Sequence, residues 1–334
     1  MHFFSVILVY NRPLWANSFS WYHGPENRMR VTVLKGGWSP EREVSLKSAA
    51  FVAGELRKLG HEVYELDIFV KNLRYLTDQL YDSDPDFIFN ALHGCGGEDG
   101  VIQGVLEVFG VPYNTTGILG SAIAFHKSVC KKIVESRGVA VISGYDIQAE
   151  EIGGINNPDG IQMDYPFVVK PAENGSSIGV FLISNPRDLA KLKDLKWSFG
   201  PDVIVERYID GREFSVLVID GKVIGAVEII PKNQFYDYRS KYDKDGSVHL
   251  CDFELEEKLM AEMYEMAAKS FDACHCRGIA RADFKCDGMN IYFLELNTQP
   301  GMTEVSLVPD IAKFNHVEMK SILVNNMLKL PIDK

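Results

Sequence analysis

Two apolar stretches near the carboxyl end of the chain carry polar residues at alternate positions, and this pattern restricts the fold more than any other feature. Arg281 and Asp283 alternate in the first stretch, and Glu295 and Asn297 alternate in the second. Residues two apart in a β-strand share a face. The apolar neighbours indicate that both strands are buried, where unpaired carboxylates are costly. The pattern therefore predicts two paired strands whose polar faces form a site.

The chemistry of these side chains favours a metal site. The two carboxylates and the amide oxygen of Asp283, Glu295 and Asn297 are hard oxygen ligands that suit Mg²⁺. Arg281 lies beside them and can hold a carboxylate or phosphoryl oxygen with its planar fork. The alternative, a salt-bridged strand pair that faces solvent, conflicts with the apolar residues of both stretches.

A second motif joins a lysine to a loop rich in glycine and serine, residues 173–179, here called the serine loop. Lys170 ends an apolar segment, and residues 173–179 read Glu-Asn-Gly-Ser-Ser-Ile-Gly. Glycines allow backbone N–H groups to approach an anion, and the serines add hydroxyl donors. The loop lacks the Gly-Lys-Ser/Thr of a Walker A motif, and Gly-Ser-Ser hairpins are common. Taken alone, it leaves phosphate binding and an ordinary hairpin as open interpretations.

The order of predicted elements begins with an α/β region. Strands are predicted at 31–34, 62–66 and 86–92, with a helix that Ser39 opens as N-cap and Pro40 as first residue. This strand–helix–strand rhythm favours an open parallel sheet with its site at the carboxyl ends of the strands.

Beyond residue 120 the pattern changes to neighbouring strands. A helix is predicted at 121–136, strand 167–170 is predicted to pair with 179–183, and 203–206 with 213–219. Later strands are predicted at 222–230, 280–287 and 289–296. Strands that follow one another in this way are typical of antiparallel α+β domains.

These changes divide the 334 residues, too many for one small core, into four parts. They are an extension at 1–28, an α/β substrate domain at 29–120, a central lid domain at 121–212 and a C-terminal domain with the metal site at 213–334. The extension is predicted to be dispensable because periodic sequence begins only near Met29. A membrane or partner tether is the alternative for this segment.

Composition limits the partners. With a net charge of −11, the chain lacks the basic footprint of a nucleic-acid-binding protein. The apolar run at 2–10 is far shorter than the ~20 residues that span a membrane, and no secretory cleavage pattern follows it. A cytoplasmic protein with no nucleic-acid or membrane partner is therefore expected.

Further motifs follow one another along the chain. They are Gly-Gly-Trp-Ser-Pro-Glu-Arg-Glu-Val-Ser at 36–45, His-Gly at 93–94 with Glu-Asp-Gly at 98–100, Phe-Tyr-Asp-Tyr at 235–238 with Lys-Tyr at 241–242, and Asn-x-x-Pro-Gly-Met-Thr at 297–303. With the lysine, the serine loop and the paired strands, they resemble the D-alanine–D-alanine ligase family of the ATP-grasp superfamily. The resemblance implies an N-terminal open parallel α/β domain followed by a two-lobed ATP-grasp fold.

The resemblance also implies a reaction. ATP would phosphorylate the carboxylate of one D-alanine, and the amine of a second would attack the acyl phosphate, giving D-alanyl-D-alanine, ADP and phosphate for peptidoglycan synthesis. ATP, two Mg²⁺ or Mn²⁺ ions and a homodimer are implied. Tyr242 favours the dipeptide over D-alanyl-D-lactate. The alternatives are an ATP-grasp ligase for another amino or hydroxy acid pair, and a non-catalytic nucleotide-binding module.

The resemblance assigns roles around the nucleotide. Lys127, Lys170 and Ser177 would bind its phosphates, Glu206 and Ile209 would lie at the adenine, Glu213 would bind the ribose, and Asp283, Glu295 and Asn297 would bind the metal. Lys285 departs from the family pattern, because an apolar residue is usual at that position against the adenine.

The resemblance also assigns roles around the amino acids. Glu41 would pair with the first ammonium, His93 would lie near the first carboxylate, Ser176 would link Glu41 to Tyr242, Lys241 would reach the γ-phosphate, Arg281 and the Gly301 N–H would stabilise the oxyanion, and Ser306 and Leu307 would bind the second carboxylate. Structural alternatives are open for three of them. Glu41 suits a helix N-terminus, His93 a structural contact and Tyr242 a packed hairpin.

Overall fold

The structure is a computed structural model that describes residues 28–231, 247–303 and 306–323. Two predicted site residues, Lys241 and Tyr242, lie outside the described residues, as do residues 1–27 of the predicted extension. Three sheets organise the described part of the chain. Within that part, no helix is long and apolar enough to cross a membrane.

The first sheet is parallel, with three strands in the order β2-β1-β3. Its strands are β1 (Arg30–Gly36), β2 (Glu62–Ile68) and β3 (Phe87–Asn90), and its helices are α1 (Arg42–Lys58), α2 (Leu73–Ser83) and α3 (Val101–Phe109). Strands β1 and β3 are buried along nearly their whole length because both faces of the sheet are covered. The predicted open parallel α/β arrangement is confirmed.

The start of α1 differs from the prediction. The helix begins at Arg42, and Glu41 rather than Ser39 occupies the N-cap position. The Ser39 hydroxyl instead donates to the His93 carbonyl at 2.6 Å and accepts from the Glu41 amide at 3.1 Å. Ser39 therefore ties the turn before α1 to the chain that leaves β3, and Pro40 lies in that turn.

The predicted helix at 121–136 is two helices. They are α4 (Ile118–Phe125) and α5 (Lys127–Glu135). His126 has an extended backbone that ends α4, and its imidazole accepts a hydrogen bond at the N-terminus of α5. The break gives α5 its own first turn, and Lys127 begins it.

The second sheet is antiparallel, with four strands in the order β4-β7-β5-β6. Its strands are β4 (Gly144–Gln148), β5 (Phe167–Pro171), β6 (Phe181–Ile183) and β7 (Asp202–Arg207), accompanied by a 3₁₀ helix (Ala149–Gly154) and α6 (Pro186–Asp194). The predicted pairing of β5 with β6 is confirmed. Apolar side chains of this sheet and α6 form a separate core.

The third sheet is antiparallel, with five strands in the order β10-β9-β8-β11-β12. Its strands are β8 (Arg212–Ile219), β9 (Lys222–Pro231), β10 (Ser247–Leu250), β11 (Ile279–Cys286) and β12 (Ile291–Asn297). The predicted pairing of β11 with β12 is confirmed. The predicted pairing of β7 with β8 is wrong, because β7 pairs with β4 and β5 and the chain then crosses from the second sheet to the third.

The third sheet is central to the described fold, because an apolar core packs against each of its two faces. Helices α4, α5 and α7 (Glu257–Ala273) pack on one face. On the other face, apolar residues of β8 and β9 pack with β1, β3, α1 and α8 (Leu307–Phe314). The first sheet and the third sheet therefore share one core, which places the end of β3 beside β11 and β12.

Candidate active site

Two adjoining cavities lie where the three sheets approach one another. The first, here called the lysine cavity, lies between the second and third sheets. The second, here called the Glu41 cavity, lies between the first sheet, the serine loop and the third sheet. Glu295 on β12 lines both cavities, so groups bound in the two cavities would meet at this carboxylate.

Among the described residues, those predicted to bind the nucleotide all line the lysine cavity. They are Lys127, Lys170, Ser177, Glu206, Ile209 and Glu213. Apolar side chains complete the wall, among them Ile142, Val168 and Leu294. A cavity lined both by cations and by apolar side chains is suited to a phosphorylated aromatic ligand.

A buried carboxylate between two lysines forms the back of the lysine cavity. Lys170 lies 2.5 Å from one oxygen of Glu206, and Lys131 on α5 bonds the other oxygen. Burial raises the pKa of Glu206, but the charges of Lys131 and Lys170 outweigh that effect and lower the pKa overall. Burial lowers the pKa of Lys131 to about 8 despite the attraction of Glu206.

Sequence reasoning missed Lys131. The available signal was its spacing, since a residue four positions after Lys127 on a helix lies on the same face. Its partner Glu206 is 75 positions away in the chain, and a single sequence does not reveal such a contact.

The serine loop carries backbone strain beside both cavities. Ser176 and Ser177 both have positive φ, at 54° and 58°, a conformation that L-residues adopt at a cost of roughly 1–2 kcal/mol each. The Lys127 ammonium donates to the carbonyl of Asn174 in the same loop and lies 3.4 Å from Glu295. The loop is thus fixed to the start of α5, and strain of this kind often marks a site.

Lys285, which departs from the family pattern, lines the lysine cavity. Its ammonium lies 3.2 Å from the carboxylate of Glu213, and the two residues are directly paired across β8 and β11. The predicted ribose-binding carboxylate is therefore already paired with a cation.

The Glu41 cavity contains the described residues that were predicted to act on the amino acids. They are Glu41, His93, Ser176, Arg281, Gly301, Ser306 and Leu307. They come from six segments of the chain, and Glu41 and Ser176 are 135 positions apart. The domains must be packed together for this cavity to exist.

Glu41 is held in a close-fitting position. The Ser176 hydroxyl donates to its carboxylate, and the residue is buried. A Cβ atom at Gly175 would lie 2.6 Å from Oε2 of Glu41, and one at Gly94 would lie 2.5 Å from the same oxygen. Glycines on two sides let the backbone approach the carboxylate, and Glu41 also occupies the N-cap position of α1, so it has the positions of both the site interpretation and the helix-terminus alternative.

His93 is fixed by two side chains. Its Nδ1 lies 3.1 Å from Glu98, and its Nε2 lies 3.2 Å from the Ser48 hydroxyl on α1. The imidazole is buried but lines the Glu41 cavity. The contacts with Glu98 and Ser48 are those expected of a structural histidine, and the position in the cavity wall is that expected of a substrate-binding histidine.

The three predicted metal ligands lie on one face of β11 and β12, where Asp283 is directly paired with Glu295. Asp283 accepts from the Arg281 fork at 2.9 and 2.8 Å and from the Asn297 amide at 3.0 Å. Within the described residues, no group of three Asp, Glu, His or Cys side chains is arranged to hold a metal. Two carboxylates and an amide nevertheless fit a divalent cation, once the donors now bonded to Asp283 turn away.

Ser306 occupies the N-cap position of α8. Its hydroxyl accepts from the Thr303 amide at 3.0 Å and lies 2.7 Å from the Thr303 hydroxyl. The N-terminus of α8 therefore faces the Glu41 cavity, where helix N–H groups favour a carboxylate.

His249 on β10 is a second residue that sequence reasoning missed. It lines the Glu41 cavity, and its Nδ1 lies 2.8 Å from Asp310 on α8. No motif marked it, because the contact depends on how β10 and α8 pack.

The site and the fold define the class of protein. Three features are typical of an ATP-grasp ligase. They are a parallel α/β domain, two antiparallel lobes that enclose a lysine-rich cavity, and a polar strand pair that continues into a second cavity. The family profile described as "D-ala D-ala ligase C-terminus" matches residues 154–329. The chain belongs to the D-alanine–D-alanine ligase family.

Similar proteins agree over most of the chain. A D-alanine–D-alanine ligase of Parvibaculum lavamentivorans is 41% identical over 304 residues, covering 88% of this chain and 96% of that protein. One from a Chelativorans species is 42% identical over 295 residues, covering 85% and 92%. The crystal structure of the Bacillus anthracis enzyme complexed with ATP has a TM-score of 0.75 and 28% identity, covering 91% and 96%.

The predicted family, fold class and enzyme class are thereby confirmed. The family comprises ADP-forming ligases that consume ATP to join D-alanine to D-alanine, and ATP and a divalent cation are its cofactors.

Proposed function

We propose that this chain joins two D-alanines for peptidoglycan synthesis, with phosphoryl transfer where its two cavities meet. The observation that carries the proposal is that Glu295 lines both the lysine cavity and the Glu41 cavity. A phosphoryl group held in the first cavity and a carboxylate held in the second would then be neighbours.

ATP would occupy the lysine cavity. Lys127, Lys170 and Ser177 would bind the phosphates, Glu206 and Ile209 the adenine, and Glu213 the ribose. Positive charge, hydroxyls and backbone N–H groups offset the charge of the phosphates. The apolar wall suits the base.

Asp283, Glu295 and Asn297 would hold two Mg²⁺ or Mn²⁺ ions. Bound there, the ions would neutralise charge that builds up on the transferred phosphoryl group. The site requires Arg281 to turn from Asp283 towards the substrate, and its flat, permanently charged fork suits either partner.

The first D-alanine would bind with its ammonium at the buried carboxylate of Glu41. Its carboxylate would then point towards Glu295 and the γ-phosphate, with His93 alongside. One carboxylate oxygen attacks the γ-phosphorus, and the bond between that phosphorus and ADP breaks. The product is an acyl phosphate, and exclusion of water from the cavity would protect it from hydrolysis.

The second D-alanine would bind with its carboxylate at the N-terminus of α8, at Ser306 and Leu307. Its amine attacks the acyl carbon, and negative charge develops on the former carbonyl oxygen. Arg281 and the Gly301 N–H would stabilise that charge. The intermediate collapses as the bond between the acyl carbon and the phosphate oxygen breaks, phosphate leaves, and the proton lost by the amine passes to phosphate or to water.

Lys241 at the γ-phosphate and Tyr242 beside Ser176 stay predictions from the resemblance. So do the homodimer, the cytoplasmic location and the domain limits.

Phosphate release from ATP with Mg²⁺ tests the proposal. It should require D-alanine, should not occur with L-alanine, and should accompany dipeptide formation by mass spectrometry. Addition of D-lactate should yield no mixed product. A preference for another amino or hydroxy acid would contradict the assigned substrate, and ATP binding without turnover would favour a non-catalytic module.

A further inference from the structure

Lys131 is a buried cation behind the lysine cavity. It projects from α5, one turn after Lys127, and its side chain is 9% exposed. Its ammonium bonds one oxygen of Glu206, while Lys170 holds the other oxygen at 2.5 Å. Lys131 is not among the described residues that line the cavity, so it contacts Glu206 from behind.

Lys170 faces two competing demands. Here it is paired with Glu206, yet the proposed function requires its ammonium at the nucleotide phosphates. When Lys170 leaves, one oxygen of Glu206 becomes available to the adenine, but a carboxylate that is only 4% exposed loses a counter-ion. A buried charge without a partner is strongly destabilising.

We propose that Lys131 is a positioning residue that stays on Glu206 as its permanent counter-ion, and so allows Lys170 to move to the phosphates. The inference rests on the proposed function, because it requires a phosphorylated nucleotide in the lysine cavity. Lys131 acts through Glu206 and Lys170 and does not touch the nucleotide.

Two further observations support this assignment. Lys127, another cation of the same cavity, is held by the Asn174 carbonyl and lies 3.4 Å from Glu295. The pKa of Lys131 is lowered by burial and further by the charge of Lys170. Removing Lys170 to the phosphates relieves that repulsion, so the Lys131–Glu206 pair is strengthened as the nucleotide binds.

The test compares ADP with adenosine, measured by isothermal titration calorimetry on the full chain. In Lys131→Met, Lys170 remains with Glu206, so ADP should bind about tenfold more weakly while adenosine changes by no more than about twofold. The matched control is Lys132→Met, because Lys132 is the next residue, is 69% exposed and pairs with Asp146. The Lys132→Met variant should bind ADP and adenosine with unchanged affinity.

Equal weakening of ADP and adenosine would show a merely structural lysine, and unchanged ADP binding would show that Lys131 is dispensable. Either result overturns the inference. Failure of the wild-type chain to bind ADP would instead reject the proposed function.

A double-variant cycle keeps the inference testable if Lys131→Met does not fold. In the Glu206→Gln background the carboxylate that Lys131 neutralises is absent and Lys170 is not drawn to it, so adding Lys131→Met should change ADP affinity by less than about twofold. A further tenfold loss in that background would mean that Lys131 acts independently of Glu206, contrary to the inference.

Discussion

The two cavities are built in different ways. The back of the lysine cavity is stabilised by ion pairs, since Lys131, Lys170 and Glu206 form one buried charged cluster within the second sheet and α5. The shape of the Glu41 cavity depends on close packing, because Gly94 and Gly175 leave just enough room for the Glu41 carboxylate. Substitutions in the first cavity should act through charge, and those in the second through shape.

The difference also concerns where the contacts come from. The Glu41 cavity depends on contacts between domains, such as the Gln299 amide that donates to the Asn90 carbonyl 209 positions away. The lysine cavity lies between the two antiparallel sheets and has no lining residue from the first sheet among those described. Nucleotide binding should therefore tolerate changes in the first domain that abolish turnover.

Arg281→Lys should have the largest effect on catalysis. A lysine cannot reproduce the fork that bonds Asp283 at 2.9 and 2.8 Å or bind an oxyanion in the same way. We expect kcat to fall by about 100-fold or more, as for loss of one oxyanion donor. Steady-state kinetics with saturating D-alanine measures it.

Arg212→Lys is the matched control, because Arg212 makes a similar fork to Glu228, at 2.7 Å, and lines neither cavity. A comparable loss of kcat in that variant would show that the effect is not specific to the site.

Gly175→Ala tests the steric character of the Glu41 cavity. The added methyl would lie 2.6 Å from Glu41, so the carboxylate must move. We expect kcat/KM for D-alanine to fall by about 100-fold, the effect of displacing a positioning group by about 1 Å. ADP affinity should be unchanged, and a matching loss of ADP affinity would remove the distinction between the cavities.

Gly54→Ala provides the control for that experiment. Gly54 lies within α1, and an added Cβ would meet nothing within 4 Å. This variant should gain up to about 1 kcal/mol of stability from helix propensity and keep full activity.

Ser39→Ala should destabilise the protein. The buried hydroxyl bonds the His93 carbonyl and the Glu41 amide, and each lost hydrogen bond costs about 1 kcal/mol. Urea unfolding should show a loss of about 2 kcal/mol, with a raised KM for D-alanine and an unchanged KM for ATP. A change confined to ATP would contradict the role of Ser39 in holding the backbone of Glu41 and His93 in place.

Lys285→Met should have the smallest effect. It replaces a cation that pairs with Glu213 at 3.2 Å by an apolar side chain beside the base. Because a partly exposed pair contributes less than about 1 kcal/mol, ATP should bind up to about threefold more tightly. Titration of ATP measures the change, and weaker binding would show that the lysine itself assists the nucleotide.

The features that the sequence predicts correctly are those that depend on residues close together in the chain. The alternation of Arg281 with Asp283 and of Glu295 with Asn297 predicted the β11–β12 pair, which the structure confirms. The order of elements predicted the parallel first sheet. The family and the individual roles came from the resemblance and not from these patterns.

What the sequence did not predict depends on contacts between distant segments. Lys131 has no local mark because its partner lies in another strand. Ser39 was assigned to a helix N-terminus because its bond to His93 is not visible in the sequence. The β7–β8 pair was predicted from proximity along the chain, whereas the chain crosses there from one sheet to another.

The most direct measurement follows an oxygen atom. D-Alanine labelled with ¹⁸O in its carboxylate is incubated with ATP, Mg²⁺ and the full chain, and the released phosphate is analysed by mass spectrometry. If phosphoryl transfer to a carboxylate occurs where the two cavities meet, each dipeptide formed releases a phosphate that carries one ¹⁸O atom. Dipeptide formation with unlabelled phosphate would contradict the acyl phosphate, and with it the proposed joint action of the two cavities.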